Sequence, residues 1–409
     1  MRINRLLIAG IVSVGLLTSC ASDEESGGGT NSPAVVNLSL ATNGATKTNT
    51  AFPGGGDTGG TIGSYEGTVK NISVGLFDDK DYKLTLDDYA YSAGNNPRSI
   101  TTTTRAKKIV VVANVPALSQ FASITTRTGF LTTKPALLEY TTSTDGTSAT
   151  ARTSVSSQQP TGLPMFAEDD TQLASLGTTS SAAPMVPLHR VVARVALIKL
   201  ATDFSTTPYA GAQFIPKEIF MHKVNDIYSW DGTVSGSVSA SSVSTVTGES
   251  TTSTLGSIGN GTLGNYAYLS SGILNWSTNA TANQLATTDN PYFFYVFPHT
   301  AATPTKLVVK GVFIPAGKTL ETDGEVMYYP IIVNHLQTNT TITDTGGTHN
   351  AGDAYSTDSQ LATNTCYNIK LTIQGRGVDS PDKDLIPATV SVTLSVAAWA
   401  TTSQDTTVK

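Results

Sequence analysis

The feature that most constrains the fold is the run Ala388-Thr-Val-Ser-Val-Thr-Leu-Ser-Val-Ala-Ala-Trp399. Val390, Val392, Leu394 and Val396 alternate there with Ser391, Thr393 and Ser395. Side chains of an extended chain point to opposite faces in turn, so this is a strand with one apolar side. Such a strand must bury that side against something. No further strand signal follows it before Lys409.

A chain of 409 residues is too long for one compact core and implies two domains. Charged residues make up only 14%, well below the roughly 25% of an ordinary globular protein. Thr, Ser, Gly and Ala fill the deficit, a composition suited to strands joined by long polar loops. The net charge of -6, without a Lys/Arg cluster, lacks the basic footprint that nucleic acid requires.

The first residues read as a bacterial lipoprotein signal peptide, spanning 1–20. Arg2 and Arg5 are its basic region, Leu6 to Leu17 its apolar region, and Leu17-Thr-Ser-Cys20 its end. Cys20 is then the lipidation site. Cys366 is left without an intrachain partner and is expected to be a small buried core residue. Ala21-Ser-Asp-Glu-Glu-Ser-Gly-Gly-Gly29 follows as an acidic, flexible tether.

Strand patterns recur along the chain. The first covers Ala34 to Leu40, with Val36, Leu38 and Leu40 on one face. Others fall at Thr68–Phe77, Lys107–Val115, Leu188–Leu200, Phe214–Trp230, Tyr292–Pro298, Lys306–Phe313, Val326–Asn334 and Cys366–Gln374. Ala117–Tyr140 has room for one or two short helices. Polar, Gly-rich stretches at 41–64, 141–159, 232–264 and 337–364 read as loops. The new apolar run at Leu188 places a domain boundary near residue 185. Many short strands and few helices predict an all-β chain with minor α content, built as two β-sandwiches.

Catalytic and metal motifs are missing. His189, His222, His299, His335 and His349 are scattered, with no H-E-x-x-H pair, and no G-x-S-x-G elbow occurs. Pro53-Gly-Gly-Gly-Asp57 lacks the Lys-Ser/Thr of a phosphate loop. Asp78-Asp-Lys-Asp81 lacks the Gly and terminal Glu of a calcium loop and reads as a turn. The chain is expected to be neither an enzyme nor a cofactor or metal protein.

Several segments together resemble the major fimbrial shaft subunits of Bacteroidetes, the FimA/Mfa-type fimbrillins called type V. They are the lipobox at Cys20, Ala51-Phe52 after the first strand, Lys108-Ile-Val-Val-Val-Ala-Asn114 and Leu188-His-Arg-Val-Val-Ala-Arg-Val195. Phe214-Ile-Pro-Lys-Glu-Ile219, Tyr328-Tyr-Pro-Ile-Ile-Val-Asn334, Tyr367-Asn-Ile-Lys-Leu-Thr-Ile-Gln-Gly375 and Val392-Thr-Leu-Ser-Val-Ala-Ala-Trp399 complete the set. The ordered set carries the resemblance, and no single piece does.

The resemblance implies β-sandwiches of transthyretin-like, Greek-key type and a route of assembly. A precursor lipidated at Cys20 reaches the outer membrane. A protease removes the propeptide 21–50 with its first strand (Val36, Leu38, Leu40). The vacated groove of domain 51–185 accepts the donor strand 388–399 of another copy, which ends domain 186–409. Val390, Val392, Leu394, Val396 and Trp399 are the implied donor residues. Better-known members carry Arg before the Ala-Phe pair, whereas Thr50 precedes Ala51 here, so cleavage is expected at or near Lys47. Implied partners are further copies, accessory and anchor fimbrial subunits, the outer membrane and host or bacterial surface ligands, with adhesion and biofilm formation as the result. The alternatives are an anchor, accessory or tip subunit of the same system, or a surface lipoprotein that binds glycans.

Overall fold

The computed structural model of the chain describes residues 31–42, 69–115, 117–133, 135, 163–205, 207–225, 229–230, 245–250, 269–274, 292–298, 304–336, 340–355, 357–385 and 390–398. Cys20, Lys47, Thr50, Ala51 and Trp399 lie outside these residues, as do the loop expected at 141–159, residues 43–64 of the loop expected at 41–64, and residues 232–244 and 251–264 of the loop expected at 232–264. Residues 41–42 and 245–246 of those stretches are instead in strands.

The fold is all-β with a few short helical turns. Its first eight strands are β1 (Pro33–Thr42), β2 (Asn71–Phe77), β3 (Lys83–Ala90), β4 (Arg98–Thr103), β5 (Lys108–Ala113), β6 (Met165–Asp169), β7 (Ser181–Ala182) and β8 (Met185–Arg190). They form one ladder in the order β3-β2-β5-β6-β8-β1-β4, with β7 also paired to β1. The two ends of this ladder face each other. Arg98 of β4 grips Asp87 of β3 through Nε and Nη2 at 2.7 and 2.9 Å. Thr85 Oγ1 of β3 donates to Thr102 Oγ1 of β4 at 2.9 Å. The sheet thereby wraps around a core that includes Val36, Leu38, Val74, Leu76, Val111 and Leu188. At Asp78 the expected turn forms, its Oδ1 accepting from the backbone N–H groups of Lys80 and Tyr82 at 3.0 and 2.9 Å.

The remaining strands are β9 (Ala193–Thr202), β10 (Gln213–His222), β11 (Val224–Asn225), β12 (Thr245–Val246), β13 (Ser270–Ile273), β14 (Tyr292–Val296), β15 (Lys306–Ile314), β16 (Glu325–Ile332), β17 (Thr340–Asp344), β18 (Gly347–His349), β19 (Thr365–Ile373) and β20 (Val390–Ala398). One sheet runs β13-β10-β15-β16 and a second β14-β9-β19-β20-β17-β18, with β11 and β12 paired separately. Phe214, Ile219, Leu307 and Tyr329 of the first sheet meet Val195, Ile369, Leu371 and Val392 of the second in one core. Two sheets each with one apolar face have only this way to remove both faces from water.

Three expectations are corrected here. The single strand read from Leu188 is two strands, because the chain bends at Val191-Val192 between β8 and β9. Since β8 pairs with β6 and β1, residues 186–190 belong to the first sheet and not to the second unit. The polar stretch 337–364, read as loop, contains the hairpin of β17 and β18. It was illegible because Thr340-Thr-Ile-Thr-Asp344 has a single apolar side chain, Ile342, to mark the buried face.

A third core joins the two halves. Phe77, Val112, Phe121 and Phe130 from the first meet Ile198, Phe293, Trp230 and Cys366 from the second. The backbone N–H of Trp230 donates to the carbonyl of Leu131 at 3.1 Å across this junction. Cys366 is fully buried there, as its expected core role requires. Tyr292–Val296, the densest aromatic stretch, is likewise buried on both faces and offers no exposed platform.

Candidate functional site: two one-faced strands

The strand β1 lies inside its sheet. On one side Pro33–Leu38 pair antiparallel with Thr103–Arg98 of β4. On the other, Val35-Val36 run parallel to β7 and Ser39–Thr42 parallel to Met185–Leu188 of β8. The alternation read from the sequence sets the burial. Ala34, Val36, Leu38 and Leu40 are all buried, while Val35 is exposed. Asn37 and Ser39 lie on the same outer face as Val35, and Ser99 Oγ donates to Asn37 Oδ1 at 2.7 Å.

Where β1 passes the end of β4, a side chain continues the ladder. Asn96 Oδ1 accepts from the N–H of Leu40 at 3.0 Å, and Asn96 Nδ2 donates to the carbonyl of Leu40 at 3.1 Å. This contact reads only main chain, so it is indifferent to the side chain at that position. Asn96 was missed by sequence reasoning. An Asn before a Pro signals a turn, and nothing local reveals that its amide reaches residue 40.

Among the described residues β4 has one ladder partner, β1. Its other hold is the side-chain seam to β3 through Arg98, Asp87, Thr85 and Thr102, so that wall of the β1 slot is tied to the body independently of β1.

The last described strand, β20, is also interior. It pairs antiparallel with β19 over Val390–Ala398 and parallel with Thr340–Thr343 of β17. Val390, Val392 and Leu394 are buried in the second core, Val396 packs at its margin, and Ser391 and Thr393 are exposed. The partner of this strand was expected on another subunit, but β20 sits in its own chain. A one-faced strand loses its apolar exposure by taking the nearest groove, and the groove between β19 and β17 is that one.

The connector that leads into β20 is pinned. Lys306 of β15 is 3% exposed, and its Nζ faces the carbonyls of Pro381, Asp382 and Lys383 at 3.4, 3.0 and 3.4 Å and Asp384 Oδ1 at 3.0 Å. Asp382 Oδ1 is also held by Lys223 Nζ at 3.0 Å and His222 Nε2 at 3.2 Å. Hydrogen bonds from the Lys223 ammonium and the His222 ring hold the Asp382 carboxyl below the usual carboxylate range. Burial pushes the His222 imidazole below the ordinary histidine range, against the pull of Asp382.

Among the described residues, His335 and His349 pair locally with acids. His335 Nδ1 faces both Asp358 Oδ2 at 2.9 Å and Ser359 Oγ at 3.0 Å, so acid and hydroxyl compete for one ring nitrogen instead of lying on opposite sides of it. A surface cavity of about 290 Å³ adjoins this region, lined in part by Asn334, Tyr355 and Tyr367. Its polar groups bond to one another, Tyr355 OH donating to Asn334 Oδ1 at 2.7 Å. Among the described residues no group of three or more His, Cys, Asp or Glu is placed to share a metal ion.

The strands β1 to β8 coincide with a known sequence family. Residues 34–190 match the family described as major fimbrial subunit protein (FimA). The match covers less than half of the chain. It opens on the inward-facing Ala34 of β1 and closes on Arg190, the last residue of β8, and so spans the first sheet together with its own first strand.

Solved structures resemble the chain over nearly its whole length. A candidate cell adhesion protein from Bacteroides eggerthii is 19% identical with a TM-score of 0.53, covering 91% of this chain and 99% of that one. A fimbrilin (FimA) from Porphyromonas gingivalis is 15% identical with a TM-score of 0.52, covering 91% and 99%. A candidate cell adhesion protein from Parabacteroides distasonis is 18% identical with a TM-score of 0.52, covering 90% and 99%. At these identities the likeness establishes the fold. No curated protein matches the sequence.

Proposed function

We propose that this chain is a structural subunit of a cell-surface fimbria, and within it the shaft subunit. In this reading the precursor is lipidated at Cys20 and held at the outer membrane. Proteolysis at or near Lys47, Thr50 or Ala51 removes β1, and the opened slot takes the C-terminal strand of another copy. The first sheet and the sheets from β9 onward act as the two domains of each subunit. Anchor and accessory subunits, and surface ligands at the fibre's end, are its other partners.

One observation carries the reading: β1, the first strand of the stretch that matches the FimA family, is an interior strand whose four buried side chains fill a core otherwise walled by β4 and β8. Its loss leaves an apolar slot with unpaired backbone on both sides, which only another one-faced strand can fill. β20 is such a strand. Because it exchanges one apolar groove for another, burial largely cancels between the docked and exchanged states, and the balance rests on fit. A head-to-tail contact of this kind does not close on itself and gives filaments.

Sequencing the N-termini of sheared fibres tests the shaft role. A start between Lys47 and Ala51 is expected. Fibres whose subunits begin at lipidated Cys20 would overturn it.

A second reading, an anchor or accessory subunit of the same fibre, draws on the seating of β20 in its own groove. A terminal strand that never leaves that groove makes a subunit that receives but does not donate.

A further inference from the structure

We infer that β20 of one copy enters the β1 slot of the next in a single register, with Val390 in the place of Val36, Val392 in that of Leu38 and Leu394 in that of Leu40. The inference rests on the strand-exchange reading above and adds the residue-level fit to it.

The two strands occupy equivalent positions in their own sheets. Each has an antiparallel neighbour on one side, β4 for β1 and β19 for β20, and a parallel one on the other, β7 and β8 for β1 and β17 for β20. A strand from β20 therefore suits the polarity of both walls of the slot. Register is then fixed by the buried face, because a slip of one residue turns Ser391 and Thr393 into the core.

Among the registers that keep the faces right, side-chain size decides. The slot is built by β1 for Ala34, Val36, Leu38 and Leu40. In the inferred register the incoming residues at these places are Ala388, Val390, Val392 and Leu394. Three are identical and the fourth is one methylene short. Val396 then reaches the register position of Thr42, which pairs with Leu188 of β8. A strand shifted by two residues puts Val390 into the place of Ala34, which is 2% exposed, and Val396 into that of Leu40. That register overfills one end of the slot and underfills the other.

The slot also carries a fixed point for the incoming backbone. Asn96 holds the N–H and carbonyl of whatever residue stands at position 40, at 3.0 and 3.1 Å for Leu40 itself. In the inferred register that residue is Leu394 of the neighbouring copy. Asn96 is thus assigned as a positioning residue for the donor strand.

The polar face supplies the test. Val35 and Ser39 direct their N–H groups to Ser180 and Pro184 on the parallel side, and Leu40 directs its own to Asn96 on the β4 side. Asn37 and Ser99 therefore meet at a position where the strands exchange no backbone bond, with Cα atoms about 4.5 Å apart, a separation that a disulfide can span. The inferred register places Ser391 of the neighbour opposite Ser99.

Fibres sheared from cells expressing the full chain with Ser99→Cys and Ser391→Cys, treated with a mild oxidant, are expected to give a ladder of covalent multimers on denaturing gels that collapses on reduction. Cells co-expressing the two single variants supply the same contact should the double variant form no fibres. A ladder from Ser99→Cys with Thr393→Cys instead would overturn the register and leave strand exchange standing. Fibres that form normally but link Ser99→Cys to none of Thr389→Cys, Ser391→Cys, Thr393→Cys or Ser395→Cys would overturn both.

Discussion

Asn96 grips Leu40 by its main chain alone, accepting from its N–H at 3.0 Å and donating to its carbonyl at 3.1 Å. The amide lets the β1 ladder continue past the end of β4 without specifying a side chain. Asn96→Ala leaves both main-chain groups of Leu40 without a protein partner. It is expected to destabilise the unprocessed chain by about 1–2 kcal/mol, read as a lower urea midpoint at unchanged slope. The same change is expected to loosen processed fibres, read as a lower temperature at which they dissociate in detergent.

The alternation of β20 separates its two faces in function. Asp in place of Val392 or Leu394, both buried, is expected to abolish polymerisation, since a carboxylate in either groove is left without a partner. Asp in place of Ser391 or Thr393, both exposed, is expected to leave it largely intact. Val392→Leu restores the methylene that β1 presents at Leu38 and is expected to strengthen each fibre joint by about 0.8 kcal/mol. Multimer ladders on gels of graded temperature compare the five variants.

Lys306 fixes the point from which β20 departs. Its ammonium is buried against three carbonyls of the connector and Asp384. Lys306→Met keeps the aliphatic stem and removes the charge, and is expected to cost on the order of 2 kcal/mol. Hydrogen exchange checks where the loss falls. Faster exchange is expected across 379–385 and β20, with β1 to β8 unchanged.

His222 gives the precursor a dependence on pH. Burial holds its folded pKa below the unfolded value, in the presence of Asp382, Lys223 and Lys306. The unfolded chain therefore binds the proton more readily, and stability rises with pH across the window between the two values. The contribution is complete above the unfolded value of about 6.5 and is lost as pH falls through it toward the folded one. Thermal scans between about pH 7.5 and pH 5.5 should show the unfolding midpoint falling with acidity, with a shallower fall for His222→Gln. An equal fall in that variant would place the dependence on another group.

Strands were legible in the sequence where one physical signal was strong. β1 and β20 declare themselves by strict alternation, and β5 by Ile109-Val-Val-Val-Ala113, an apolar run covered on both faces. β4 and β17 were not legible, because Arg98-Ser-Ile-Thr-Thr-Thr103 and Thr340-Thr-Ile-Thr-Asp344 each offer one aliphatic residue, and their place is decided by the strands beside them. The break between β8 and β9 was hidden because Val191 and Val192 are as apolar as their neighbours. The side chains of the two strands could be read one by one. Their surroundings could not, since Asn96 and Lys306 act on backbone 56 and 75–77 residues away in sequence.

The central claim is that β20 leaves its own groove to fill the slot of another copy. Electron microscopy of cells expressing the chain with residues 388–409 deleted tests it most directly. The account predicts folded, processed subunits at the cell surface and no fibres. Normal fibres from the truncated chain would contradict it.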